Sequence, residues 1–168
     1  MKSKQLLLIF ASLITAFAIN SCKKSGQSPI QTLFTGGRWQ LASVLVFHFT
    51  GNQLISTDTL NTTCDSVQNF IFYPNNTCTY TNFDCIPQST PAAKWSLTAD
   101  QLHLQASVVC KDTTAAGSSM PFSYASIVNL GQYSLVLLTG DIQPNYSLTK
   151  PRKQIQYGFV REKVNGVD

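Results

Sequence analysis

The feature that most restricts the fold of this chain is an alternation of apolar and polar residues with a period of two. It is clearest in two stretches, QLHLQASV at 101–108 and QIQYGFV at 154–160. Successive side chains of a β-strand point to opposite faces, so each stretch predicts a strand with one apolar face. The fold must therefore bury one side of these strands.

The rest of the chain from residue 38 onward is also typical of β-structure. It is rich in Val, Leu, Ile, Phe, Tyr and Thr, and it contains a single Glu. The turn sequences YPNNT, TADQ and NLGQY offer Asn, Asp or Gly where a reversing backbone needs a left-handed residue, which predicts antiparallel neighbours. Strands are predicted at 38–49, 67–73, 77–83, 93–98, 101–110, 122–130, 133–139 and 154–162.

Strands with one apolar face can bury it in two ways. They can close into an eight-stranded antiparallel up-and-down β-barrel, or they can stack as a two-sheet β-sandwich. Both architectures are all-β, and the alternation by itself leaves the choice between them open.

The first 21 residues have the layout of a secretory signal. Lys2 and Lys4 precede the apolar run LLLIFASLITAFAI at 6–19. At 1.5 Å per residue this run reaches about 21 Å, whereas a membrane-spanning helix must cross about 30 Å. Two cleavage sites compete, the small-x-small triplet Ala16-Phe17-Ala18 and the sequence Ile19-Asn20-Ser21-Cys22.

The sequence ending at Cys22 resembles the lipobox of bacterial lipoproteins. An aliphatic residue, Ile19, stands three before the cysteine and a small one, Ser21, stands directly before it, although Asn20 is larger than usual. The resemblance implies a signal peptide at 1–21, a diacylglyceryl thioether on Cys22 and an acylated amino group. It also implies that membrane lipid is a partner and that the protein is anchored in the bacterial cell envelope, at the outer membrane.

The cysteine count agrees with lipidation, because the chain holds five cysteines and an odd thiol is a liability in an oxidising compartment. With Cys22 acylated, an even four remain as disulfide candidates. The YPNNT turn folds strand 67–73 back on strand 77–83, which brings Cys64 and Cys85 together at the open end of the hairpin. They are the preferred pair, and Cys78 with Cys110 is the pairing that remains.

Several short motifs, taken in order, resemble small lipocalin-like lipoproteins of Gram-negative bacteria. The first is Leu33 with GGRWQLAS at 36–43, which is similar to the glycine-x-tryptophan first strand of lipocalins. The others are NFIFYPNNTCTYT at 69–81, AAKWSLTADQLHLQ at 92–105, YSLVLL at 133–138 and IQYGFVRE at 155–162. The resemblance implies a barrel domain at 33–164, with Trp39 closing one end, between a polar tether at 22–32 and a tail at 165–168.

No catalytic signature accompanies these motifs, so the chain is not expected to be an enzyme. Its single glutamate, Glu162, makes a pair of catalytic carboxylates depend on scattered aspartates. His48 and His103 are isolated, no CxxC is present, and no metal or other cofactor is expected. The mature charge of about +2 lacks the concentrated basic stripe that nucleic-acid binding needs.

Two functions stay open at this point. One is a lipid-anchored scaffold that contacts another envelope protein, and the other is a module that binds a small hydrophobic ligand in the barrel mouth. The inward-facing set is expected to close the end around Trp39 and to leave at most a shallow mouth opposite. This set comprises Trp39, Leu41, Phe70, Phe72, Tyr80, Trp95, Leu97, Leu102, Leu104, Leu135, Leu137, Tyr157 and Phe159. The candidate ligand-binding residues are Trp39, Phe72, Tyr80, Trp95 and Tyr157.

Overall fold

A computed structural model describes residues 27–88 and 92–162. The predicted signal peptide, the lipidation site Cys22 and the tail at 165–168 lie outside the described residues. The described residues form one short helix, α1 (Pro29–Thr35), and thirteen strands. The strands are β1 (Arg38–Thr50), β2 (Gln53–Leu60), β3 (Asn69–Phe72), β4 (Thr77–Tyr80), β5 (Asn82–Phe83), β6 (Ile86–Pro87), β7 (Ala93–Leu97), β8 (His103–Ala106), β9 (Cys110–Lys111), β10 (Ser118–Ser119), β11 (Ala125–Leu130), β12 (Ser134–Gly140) and β13 (Pro151–Arg161).

Eight of the strands close into an antiparallel barrel. In order around the barrel they are β1, β3, β4, β7, β8, β11, β12 and β13, and pairing of β13 with β1 completes the ring. Neighbours around the barrel are also neighbours along the chain within this set, so the barrel is up-and-down and of the lipocalin-like kind. The prediction of eight strands and of a barrel is confirmed, and each predicted strand overlaps one barrel strand.

The strand β2 was not predicted, because residues 53–60 show no single apolar face. All eight of its residues are exposed. It forms a hairpin with the second half of β1, with Val44 opposite Leu60 and Thr50 opposite Gln53. The first residues of β1 pair with β3 along the same edge, so β2 ends, at Leu60, just beyond the point where the pairing of β1 with β3 stops.

The barrel wall is much taller on one side than on the other. The strand β1 has 13 residues and β13 has 11, whereas β3, β4 and β8 have 4 each. At a rise of about 3.3 Å per residue, β1 is about 43 Å long and a four-residue strand about 13 Å. The tall wall therefore extends beyond the short strands and forms one side of the open end.

The helix α1 closes the opposite end. It begins with a capping box in which Ser28 and Gln31 each accept a backbone N–H of the other. Its fully buried Phe34 packs against Phe72 and Trp95, with ring centroids 4.8 Å and 5.5 Å away. The helix begins at Pro29, inside the segment predicted to be tether, because the capping box and this buried contact stabilise a turn that has no repeating pattern in the sequence.

Trp39 also lies at the closed end, as the resemblance implied. It is fully buried, and its indole N–H donates to the carbonyl oxygen of Phe34 at 2.8 Å. The guanidinium of Arg161 lies over the Trp39 ring, 4.5 Å from its centroid, and donates to the carbonyl of Leu33. These contacts join the helix, the first strand and the last strand.

The predicted inward-facing set is buried or half-buried with one exception, Leu102. Its side chain is 57% exposed. The turn after β7 extends further than predicted, because Gln101 adopts a left-handed backbone (φ 59°) and the N–H of Leu102 donates to Asp100 Oδ1. The strand β8 therefore begins two residues later than predicted, at His103, and its inward-facing side chains begin with Leu104.

Candidate functional site

A cavity of about 830 Å³ lies at the end of the barrel opposite Trp39. One side is the inner face of the tall wall, where Leu41, Val44, Ile155 and Tyr157 line it. The other side is made by the segments 61–62, 83–85 and 112–124, which connect the short strands. The volume lies within the range of about 300–1,000 Å³ typical of small-molecule sites, so the mouth is larger than the shallow one expected.

The floor of the cavity is apolar. Leu41, Val44 and Phe83 are buried side chains that line it, and Met120 contributes from the loop side. Tyr157 is 6% exposed, and its burial raises the pKa of the phenol to about 12. Tyr157 therefore stays neutral at physiological pH and contributes a hydroxyl in an otherwise apolar floor.

Two carboxylates lie on the loop side of the cavity. Asp84 Oδ2 accepts the backbone N–H of Thr113 at 2.8 Å and also the Thr113 hydroxyl. Asp112 directly precedes Thr113 in the chain, and its Oδ1 accepts the backbone N–H of Thr114 at 3.1 Å. The two carboxylates therefore occupy adjoining segments of the lining.

Asp112 is ionised although it is only 5% exposed. Burial acts to raise the pKa of its carboxyl, but hydrogen bonds from Ser119 and Thr114 outweigh burial and lower it below the ordinary value. Neither Asp112 nor Asp84 forms a salt bridge with a basic side chain within the described ranges. The loop side of the cavity therefore carries negative charge that has no basic partner there.

Gln68 supplies a further polar group to the lining. It is 2% exposed, and its Nε2 donates to the carbonyl of Thr62 at 3.3 Å. Its Oε1 has no hydrogen-bond partner among the described residues. A buried amide oxygen without a donor is energetically costly.

The disulfide of the structure lies at the rim of this cavity. It joins Cys64 and Cys85, whose Cα atoms are 5.1 Å apart, and Cys85 is part of the lining. The preferred pairing from the sequence is thus confirmed. The bridge connects the segment after β2 to the hairpin of β5 and β6, and so holds two lining segments together.

The remaining predicted pairing is wrong, because Cys78 and Cys110 are free thiols. Both are buried, and burial raises their pKa values to about 11 and about 12. Cys78 faces the barrel core from β4 and packs as a small apolar residue, as does Cys110 at the start of β9.

Of the five candidate ligand-binding residues, only Tyr157 lines the cavity. The other four are part of the packed core below it. Trp95 stacks on Phe34, and its indole N–H donates to the carbonyl of Tyr73 at 3.0 Å, near the closed end. Phe72 packs edge-on against both rings, and Tyr80 donates to the carbonyl of Val109. Trp39 lies under α1, as described above.

These four residues were predicted as ligand contacts because the alternating pattern shows that a side chain points inward. It does not show where along the barrel axis that side chain lies. Asp84 and Asp112 lie in connecting segments, where the period-two pattern gives no signal, and Gln68 lies just before β3, inside the predicted strand 67–73. A bias toward Asp and Thr at 112–114 was the one local hint of a polar turn.

Residues 27–88 and 92–162 contain neither a cluster of metal ligands nor a helix suited to crossing a membrane. No group of three or more His, Cys, Asp or Glu side chains is arranged to hold a metal ion there. None of the described helical segments has the length and apolar character required to cross a bilayer.

The fold and site together define a closed eight-stranded antiparallel barrel with a polar-rimmed cavity at one end. The sequence matches no protein-family model, no curated protein and no solved structure.

Proposed function

We propose that this chain is a lipid-anchored protein of the bacterial cell envelope whose barrel mouth binds a small amphipathic molecule. The observation that carries the proposal is the cavity of about 830 Å³, which has an apolar floor and a polar loop side. A barrel filled by its own side chains would have favoured the scaffold function instead. Anchoring through Cys22 rests on the lipobox resemblance, and it would keep the ligand site near a membrane.

The cavity is suited to an amphipathic ligand because its polar groups are on one side. An apolar body would displace water from Leu41, Val44 and Phe83, gaining about 25 cal/mol for each Å² of apolar surface buried. Polar groups at the loop side would orient the ligand by hydrogen bonds.

Calorimetric titration of residues 25–168 tests the proposal. This fragment contains the whole described barrel and every described core residue, which lie between Phe34 and Phe159. The panel comprises fatty acids, alkyl alcohols, alkylamines, quinones and haem. Saturable binding of one molecule per barrel at micromolar concentration is expected for at least one class, and absence of binding across the panel would overturn the proposal.

A matched pair of variants locates the binding. Leu60 lies opposite the buried Val44, so its side chain shares the inner face, and it lines the cavity. Leu60→Trp should partly fill the cavity and weaken binding at least tenfold. Thr59 is the next residue on the same strand and faces outward, so Thr59→Trp should leave the affinity within about twofold.

A second function, contact with another envelope protein, is favoured by one observation. The strand β2 pairs only with β1 in the described sheet, and Leu54, Ile55 and Leu60 on it are half exposed. An exposed strand edge is a template for pairing with another chain. A photo-crosslinking residue at position 57 should capture a specific partner in native membranes if this second function holds, whereas one at position 100 should not.

A further inference from the structure

The chemistry of the loop side narrows the class of ligand that the cavity can accept. Three charged residues line the cavity, namely Asp84, Asp112 and Lys153. Lys153 is exposed and lies near the top of the tall wall, so water and salt screen its charge. Asp112 is 5% exposed, so solvent screens its charge less than that of Lys153. The negative side therefore dominates the field that a bound head group would experience.

The hydrogen bonds of the two carboxylates leave them able to accept further donors. Asp84 uses Oδ2 for both of its bonds with Thr113, and no described residue donates to its Oδ1. Each carboxylate offers about four acceptor positions. The polar side of the cavity thus offers hydrogen-bond acceptors and negative charge. A complementary head group would donate hydrogen bonds to it.

We propose that the cavity binds a cationic amphipath, in which an apolar body carries a primary amine or ammonium head group that lies beside Asp112 and Asp84. This inference rests on the proposed function and specifies its ligand class. A carboxylate head group would instead meet like charge at Asp112 and Asp84. A neutral alcohol would supply one donor without the charge.

Three probes of equal chain length separate these alternatives, namely octylamine, octanol and octanoate at pH 7 with residues 25–168. Calorimetry should give octylamine an affinity at least tenfold higher than octanoate, with octanol between them. If octanol binds and octylamine shows no advantage over it, the inference is overturned while the proposed function stands. If none of the three binds, and the wider panel also fails, the proposed function falls as well.

The chain contains a matched control for the decisive variant. Asp112 and Asp100 both accept the backbone N–H of the residue two positions ahead through Oδ1. Each also accepts the hydroxyl of a nearby threonine, and the Oδ1 of an asparagine would keep both bonds. The Ser119 hydroxyl, which donates to Asp112, would accept from the amide of the asparagine instead. Asp100 lies in the turn between β7 and β8, which is at the closed end of the barrel.

Asp112→Asn is expected to lower octylamine affinity about tenfold and to leave octanol affinity within twofold, which also shows that the variant is folded. Asp100→Asn should change neither affinity. Asp84→Asn provides a second variant, since asparagine tolerates the left-handed backbone of residue 84 (φ 50°). If both cavity variants keep the full preference for octylamine, the carboxylates do not hold the head group and the inference is wrong.

Discussion

The indole N–H of Trp39 donates to the carbonyl oxygen of Phe34 across 2.8 Å, which ties the helix α1 to the first barrel strand. Both side chains are fully buried. A segment of seven residues outside the barrel therefore contributes to the core as if it were a barrel strand. The closed end owes its packing to this helix, and the cavity is confined to the other end.

The first prediction concerns the contribution of this helix to stability. Phe34→Ala should lower the free energy of unfolding by about 3–5 kcal/mol, because it leaves a cavity between Phe72 and Trp95. Thr32→Ala, at an exposed position of the same helix, should change it by about 1 kcal/mol or less. Urea unfolding followed by Trp fluorescence measures both, and equal effects of the two variants would contradict the packing of α1.

The second prediction concerns the disulfide between Cys64 and Cys85, which are separated by 21 residues. By the chain-entropy model, a loop of this size stabilises the fold by about 3 kcal/mol. Reduction, or the double variant Cys64→Ser with Cys85→Ser, should lower the free energy of unfolding by this amount. Non-reducing peptide mapping should recover Cys64 joined to Cys85, and a peptide joining Cys64 to Cys78 would refute the strand register of β3 and β4.

The third prediction concerns stability at alkaline pH. Burial raises the pKa of Cys78 from an ordinary 9.0 to about 11, so the folded state holds this proton more tightly than the unfolded chain does. The corresponding stability is complete below pH 9 and is lost as pH rises toward 11. By linkage the loss is about 2 kcal/mol at pH 11. Burial raises the pKa of Cys110 to about 12, so its thiol also makes the fold less stable as the pH rises.

Urea unfolding between pH 7 and pH 11 tests this linkage. Cys78→Ala should be less stable than the wild type at pH 7, because a buried side chain is shortened. The free energy of unfolding of this variant should nevertheless fall less between pH 9 and pH 11 than that of the wild type does. At pH 11 the two losses should differ by about 2 kcal/mol. Parallel pH profiles for the two proteins would show that the thiol is not protonated more tightly in the folded state.

The fourth prediction concerns the membrane anchor. Protein purified from its native membrane is expected to partition into detergent and to have the mass of a chain that begins at an acylated Cys22. Cys22→Ala should release it into the soluble fraction. Ser21→Ala keeps a small residue before the cysteine and serves as the matched control. An unmodified chain that begins at Ile19 would instead indicate cleavage after Ala18.

The alternation of the sequence determined most of the barrel, because burial on one face forces a period of two on every strand that closes it. Strands as short as β3 and β4 could be predicted, and so could the turn between them, where Asn76 has the left-handed backbone expected of YPNNT (φ 61°). The pairing of Cys64 with Cys85 followed from the same hairpin. In contrast, β2 is exposed on both faces and left no pattern to detect.

The depth of each inward side chain was decided only by the tertiary structure. Trp95 and Tyr157 both point inward, but α1 packs over the end that holds Trp95, while the unequal strand lengths leave Tyr157 beneath an open mouth. The polar groups of the cavity are brought together by loops that are distant in sequence, such as Asp84 and Asp112. An alternating pattern encodes which face of a strand is buried, whereas the position along the barrel axis depends on strand register, strand length and the helix that covers one end.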